Sequence, residues 1–233
     1  MKHIPRFFYS QRIDRSDIFL SPEQMYHANK VLRLAEDDEI RVFNQSDGEW
    51  SCVIKSVKKN IVAPIKQIVQ PREEQGATIA CALINPHRFA ILAEKVTELG
   101  ATRIVPIITD FTQYKTINRN KVQQTIIQAC EQSRRLSIPE LDEPISLRKF
   151  LEQFPVDKNL YVGMEDSSKT KQYALTINID SCFLIGPEGG FSANEIAMFS
   201  EFDFIQTLHL GCNILRSETA AIAFAVLCVQ QCG

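Results

Sequence analysis

Leu184-Ile185-Gly186-Pro187-Glu188-Gly189-Gly190-Phe191-Ser192 runs from an apolar strand into a glycine-bearing bend and then a helix start. Downstream, Leu210-Gly211-Cys212-Asn213-Ile214-Leu215-Arg216-Ser217-Glu218-Thr219-Ala220-Ala221 repeats that plan. Glycine lets a backbone turn sharply and approach a ligand with no Cβ in the way. Two such loops, both leaving strand ends, point to one ligand gripped mainly by main-chain groups. A ligand held this way is often a cofactor.

Outward from these loops the pattern alternates strand and helix. Thr78 to Ile84 reads as a buried strand and His87 to Leu99 as an amphipathic helix, with Gly100 placed as its C-terminal cap. Arg103 to Ile108 is a strand and Arg119 to Arg135 a long helix. Leu160 to Met164 and Cys182 to Ile185 are short buried strands, Asn194 to Ser200 a helix, Ile205 to Leu210 a strand and Ser217 to Gln230 the last helix. The alternation predicts a mostly parallel sheet with helices on both faces. No GxGxxG follows its first strand, which argues against a dinucleotide oxidoreductase.

Residues 1–72 read differently. Glu39 to Phe43 and Trp50 to Ile54 alternate polar and apolar around Asn44-Gln45-Ser46-Asp47-Gly48, a hairpin turn by its chemistry. Ile61 to Val69 adds strand, with Pro64 marking an edge or bulge. Ser21 caps a helix that has Pro22 at its first position. The expectation is a small β-barrel with one helix over 1–72 and an α/β domain over 73–233.

The 233 residues are 45% hydrophobic and 23% charged, an ordinary globular composition. Seven cysteines without a CxxC or His/Cys cluster argue against a disulfide framework or zinc site. The start lacks the apolar run of a signal peptide, and Ala220 to Val229 is shorter than the ~20 residues a bilayer requires. A cytoplasmic protein without metal or membrane partner is expected. Residues 1–72 carry 12 Lys and Arg against 9 Asp and Glu, whereas the remainder carries 14 against 19. Positive potential therefore gathers in the N-terminal part, where a phosphate backbone can be met. Ala220 to Val229 is apolar on every face, so either the same chain surrounds that helix or a second subunit covers it.

Gly186-Pro187-Glu188-Gly189-Gly190, Leu210-Gly211 and Ile214 to Ala220 resemble the cofactor signature of SPOUT-class RNA methyltransferases. Arg6-Phe7-Phe8, His27 with Val31-Leu32-Arg33, Glu94 to Gly100, Glu131 to Arg135 and Pro139 are similar to motifs of the 16S rRNA uracil-N3 methyltransferase family. The likeness covers nearly the whole chain. It implies a trefoil-knotted C-terminal α/β domain that binds S-adenosylmethionine, a homodimer, and a PUA-like barrel that grips RNA, either 16S rRNA or the 30S subunit. Within the same class, ribose 2′-O-methylation is the rival chemistry. A silent RNA-binding or assembly factor is the rival outside it.

On that resemblance Leu184, Ile185, Gly186, Pro187, Glu188, Gly189, Gly190, Leu210, Gly211, Asn213, Ile214, Leu215, Ser217 and Ala220 are assigned to the cofactor. Methylating uracil N3 requires a proton to be removed or the anion stabilised. Arg216 suits the anion or a phosphate, and Glu98, Glu188 and Glu218 are alternatives for the base. Glu98 reads equally as a solvated helix charge, and Glu218 as a complement to its helix dipole. Arg6, Arg12, Arg33, Lys95 and Arg134 are the candidate RNA contacts. The chain departs from the family pattern in three places. Cys212-Asn213 stands where Pro or Glu and then Arg is usual, Ser217 replaces a frequent Thr, and Phe111-Thr112-Gln113-Tyr114 replaces an Arg-Ser pair.

Overall fold

The computed structural model describes residues 4–164 and 177–230, and the chain divides into two compact units. The first comprises the chain up to Glu74 together with Cys130–Ile138. Its elements are β1 (Arg6–Phe8), β2 (Ile18–Phe19), α1 (Pro22–Tyr26, continued by one π-helical turn), β3 (Glu39–Asn44), β4 (Gly48–Ser56) and β5 (Ile61–Val69). The sheet order is β1-β3-β4-β5-β2, with β1 parallel to β3 and the rest antiparallel. The expected hairpin forms, with Val42 opposite Trp50, and the Asp47 carbonyl accepts from the Trp50 indole at 2.9 Å. Pro64 pairs with Cys52 beyond the end of β2, beside a register shift, where a missing N–H costs nothing. Ser21 and Gln24 exchange bonds in a capping box that starts α1. Phe7, Ile18, Leu20, Met25, Ile40, Val42, Ile54 and Val62 fill the core.

Cys130–Ile138 joins this unit because Arg6 takes hold of it. The Arg6 guanidinium donates to the carbonyls of Cys130, Glu131 and Arg135 at 2.8–3.0 Å and to Glu49 at 2.9 Å, with its carbon over the Phe43 ring. Sequence reading assigned that segment to the α/β region, since no local pattern shows this long-range capture.

The second unit holds β6 (Thr78–Ala82), α2 (Pro86–Glu98), β7 (Arg103–Ile108), most of α3 (Arg119–Ser133), β8 (Glu140–Leu141), β9 (Ile145–Ser146), α4 (Leu147–Gln153), β10 (Leu160–Gly163), β11 (Cys182–Ile185), α5 (Ala193–Phe199), β12 (Ile205–Leu208) and α6 (Ser217–Val229). All strands are parallel in the order β12-β10-β11-β6-β7-β8, with β9 also on β7. Side chains alternate between the two faces. Leu160, Val162, Cys182 and Leu184 meet Leu147, Leu151 and Phe199 from α4 and α5. Tyr161 and Phe183 instead meet Phe224 of α6, with the Phe183 and Phe224 rings stacked at 4.3 Å. After β12 at the sheet edge the chain therefore returns to the middle, where α6 packs on β11, β6 and α2. Ala221, Phe224, Ala225 and Cys228 are buried there, while Val226 and Val229 on α6 remain exposed.

Candidate active site

Three neighbouring strands, β12, β10 and β11, end at one edge, and a cleft of about 350 Å³ opens beyond their carboxyl ends. That is the usual place for a ligand in an open parallel sheet. Its first wall leaves β11 as a tight turn in which the Gly190 N–H donates to the Pro187 carbonyl at 2.8 Å. Gly190 has φ +69°, and Ser192 then caps α5 in a capping box with Glu195. The second wall leaves β12 through Gly211, whose φ of +121° only glycine adopts at ease, and reaches Arg216 at the head of α6. A buried bond of 2.9 Å from the Ser217 hydroxyl to the Gly186 carbonyl ties the two walls together.

Of the residues assigned to the cofactor, Ile185, Gly186, Pro187, Glu188, Gly189, Gly190, Leu210, Gly211, Asn213, Ile214, Leu215, Ser217 and Ala220 line this cleft. Leu184 does not: it is fully buried beneath it in the face that meets α4 and α5. Gly163, Met164, Leu208 and His209 also line it and were missed. Nothing local marks Gly163 and Met164, because β10 becomes a neighbour of both β11 and β12 only through the sheet order; Leu208 and His209 directly precede the Leu210-Gly211 wall and read as plain strand. The lining is main chain, aliphatic side chains and few charges, which fits a flat nucleoside held by backbone donors and acceptors.

Among the proposed acid–base groups, Arg216 and Glu188 line the cleft and are exposed. Glu218 is committed elsewhere, accepting from Arg88 of α2 at 2.6 Å. Glu98 lies outside the lining; with Glu94 it holds Lys95 at 2.7–2.9 Å in a surface cluster on α2. Hydrogen bonds to the Glu94 and Glu98 carboxylates raise the Lys95 pKa above its ordinary value. Burial pushes the Cys81 thiol well up, with Glu188 and Glu218 adding to it, and it raises Cys182 to about 12. Neither is a thiolate nucleophile. Among the described residues no group of three His, Cys, Asp or Glu is placed to hold a metal.

In the first unit Arg12, Arg33 and Arg134 are exposed, and Arg12 lines a hollow with Phe8, Asn44, Asp47 and Ile138. Arg6 corrects the sequence reading. Its five N–H donors all point to protein acceptors and its side chain is 5% exposed, so none is left for a phosphate. Arg135 is likewise buried, against Glu74 and Ser137.

The parallel sheet, the returning C-terminal helix and the double-loop cleft fit the SPOUT-class α/β fold of an RNA methyltransferase domain, here with a PUA-like domain. An RNA methyltransferase domain model matches residues 71–229, and an RNA methyltransferase PUA domain model matches residues 20–63. The chain belongs to the ribosomal RNA small subunit methyltransferase E family of RNA methyltransferases. The protein of that name from Rickettsia conorii is 32% identical over 95% of this chain and 93% of its own length. The Bacillus subtilis protein is 27% identical over 91% and 90%. A methyltransferase from Legionella pneumophila, solved with bound SAM, has a TM-score of 0.87 and 30% identity over 99% of this chain and 98% of its own.

Proposed function

We propose that this protein transfers a methyl group from S-adenosylmethionine to N3 of one uridine in the 16S rRNA of the small ribosomal subunit. The observation that carries this reading is the cleft whose two glycine walls are fastened by Ser217 and Gly186. The names and bound ligand of the relatives support the donor and the class of substrate.

When bound, the cofactor supplies a methyl already activated on a sulfonium. The chain's own part is to bind, orient and move a proton. Main-chain groups of Ile185, Gly186, Leu210 and Leu215 are suited to hold the nucleoside between aliphatic side chains. Arg216 stands at the cleft to hold the negative charge that develops on a uracil oxygen as N3 loses its proton. Glu188 takes the proton-acceptor role, since Glu218 is paired to Arg88 and Glu98 lies elsewhere. The base must reach the cleft edge-on and so leaves its stack. Arg12, Arg33 and Arg134 of the first unit meet the phosphate backbone in this reading, and Arg216 is available for it too. Two copies associate through the apolar face of α6 that carries Val226 and Val229. The reaction belongs to the cytoplasm, where ribosomal subunits are.

Purified small ribosomal subunits lacking the modification, incubated with protein and labelled cofactor, test this. The expected product after nuclease digestion is N3-methyluridine. A ribose-methylated nucleoside would move the protein to the rival chemistry, and absence of cofactor binding by calorimetry would make it a silent RNA-binding factor.

A further inference from the structure

Phe111 is a large apolar ring left 52% exposed on a turn that is built with unusual care. Thr109 and Thr112 close the turn: the Thr109 N–H donates to the Thr112 hydroxyl at 2.8 Å, the two hydroxyls lie 2.7 Å apart, and both residues are buried. Between them, the Asp110 N–H donates to the Glu195 carboxylate at 2.9 Å, and the Ser192 hydroxyl donates to the Asp110 carboxylate. Glu195 is itself buried and also accepts from the Ser192 N–H. The turn is thus pinned to the head of α5, the same point that anchors the first glycine wall. The ring stands beside that wall, since a Cβ built on Gly189 would lie 3.6 Å from Phe111 Cβ and 3.7 Å from its Cδ2.

We propose that Phe111 is the platform on which the extruded target base stacks at the mouth of the cleft. This rests on the reading of the protein as an RNA methyltransferase that uses that cleft. A base that leaves its helix loses stacking on both faces, and an aromatic side chain restores one of them. A phenyl ring offers no hydrogen-bond donor for a phosphate, and what it presents to RNA is an apolar, stacking surface. Rigid presentation lowers the ordering cost of that contact. Thr112, buried in the turn, takes no part beyond holding the ring in place.

Phe111→Trp places a reporter on the platform in a chain whose single native tryptophan is Trp50. Titration with single-stranded oligouridylate is expected to quench its emission beyond the wild-type response. With small ribosomal subunits as substrate, Phe111→Ala is expected to raise KM about tenfold, as loss of one stacked base does. Its kcat and its calorimetric affinity for S-adenosylmethionine stay at wild-type values, and Phe111→Tyr restores KM. An unchanged KM in Phe111→Ala overturns the proposal. So does a parallel loss of cofactor affinity, which would make the ring a prop for the Gly189 wall. A changed oligomeric state in sedimentation would instead make it a subunit contact and equally overturn it. Should the wild type bind no cofactor, the functional reading fails, while the oligouridylate titration still decides whether a base stacks on residue 111.

Discussion

The Ser217 hydroxyl donates to the Gly186 carbonyl at 2.9 Å, joining two residues 31 positions apart in the chain. One begins α6 and the other ends β11, so this bond sets the spacing of the two cleft walls. Ser217→Ala leaves the Gly186 carbonyl buried without that partner, a cost of about 1–3 kcal/mol. Calorimetry is expected to show cofactor affinity lowered about tenfold, and Ser217→Thr is expected to retain most of it, since the hydroxyl remains.

Gly190 and Gly211 separate backbone strain from crowding, because a Cβ at either would meet nothing within 4 Å. At φ +69°, Gly190→Ala occupies the left-handed region at a cost of about 1 kcal/mol. At φ +121°, Gly211→Ala has no comparable refuge and costs up to about 3 kcal/mol or forces the second wall to move. Cofactor titrations should therefore rank wild type above Gly190→Ala and Gly190→Ala above Gly211→Ala. The reverse order would show that Gly211 does not shape the binding wall.

Arg6 is a keystone of the first unit rather than an RNA ligand. Arg6→Ala strands Glu49 and three carbonyls, and breaking a buried pair of this kind costs about 3–5 kcal/mol. Arg6→Lys keeps the charge but cannot reproduce five donors in a planar fork, so denaturant melts are expected to show only partial recovery. The salt dependence of RNA binding should be unchanged in folded Arg6→Lys.

Two carboxylates of the same unit titrate in opposite senses. Burial raises the Glu131 pKa above its ordinary 4.5, against the pull of the Phe8 N–H and Arg6. Its ionised form therefore opposes folding at neutral pH, and that penalty fades as pH falls through the raised value. Burial also acts on Glu74, but bonds from the Ser137 hydroxyl, the Leu136 N–H and Arg135 outweigh it and leave the pKa lowered. Its stabilisation is present above 4.5 and lost as pH falls through the folded value. Thermal melts of Glu131→Gln should exceed wild type at neutral pH and lose that advantage in acid. Those of Glu74→Gln should fall below wild type at neutral pH, with the gap closing in acid.

The central strands of the parallel sheet were legible because burial on both faces writes a continuous apolar run, and Arg103–Ile108 and Cys182–Ile185 form as read. Thirteen of the fourteen residues assigned to the cofactor line the cleft, since glycine, strand ends and helix starts are local signals. What escaped depends on tertiary neighbours. The two-residue strands Glu140–Leu141 and Ile145–Ser146 are too short to show a period, and α4 fell with them. Gly163 and Met164 enter the site only because β10 lies between β11 and β12. Arg6 looked like a phosphate ligand because nothing near it in sequence announces the carbonyls that occupy it.

The most direct measurement of the central claim is a map of modified uridines in 16S rRNA from cells with the gene, without it, and with Gly211→Ala in its place. One N3-methyluridine is expected to vanish on deletion, return with the wild-type gene, and stay reduced with the Gly211 variant. Persistence of every N3-methyluridine in the deleted cells, or loss of a ribose methyl instead, would contradict the account.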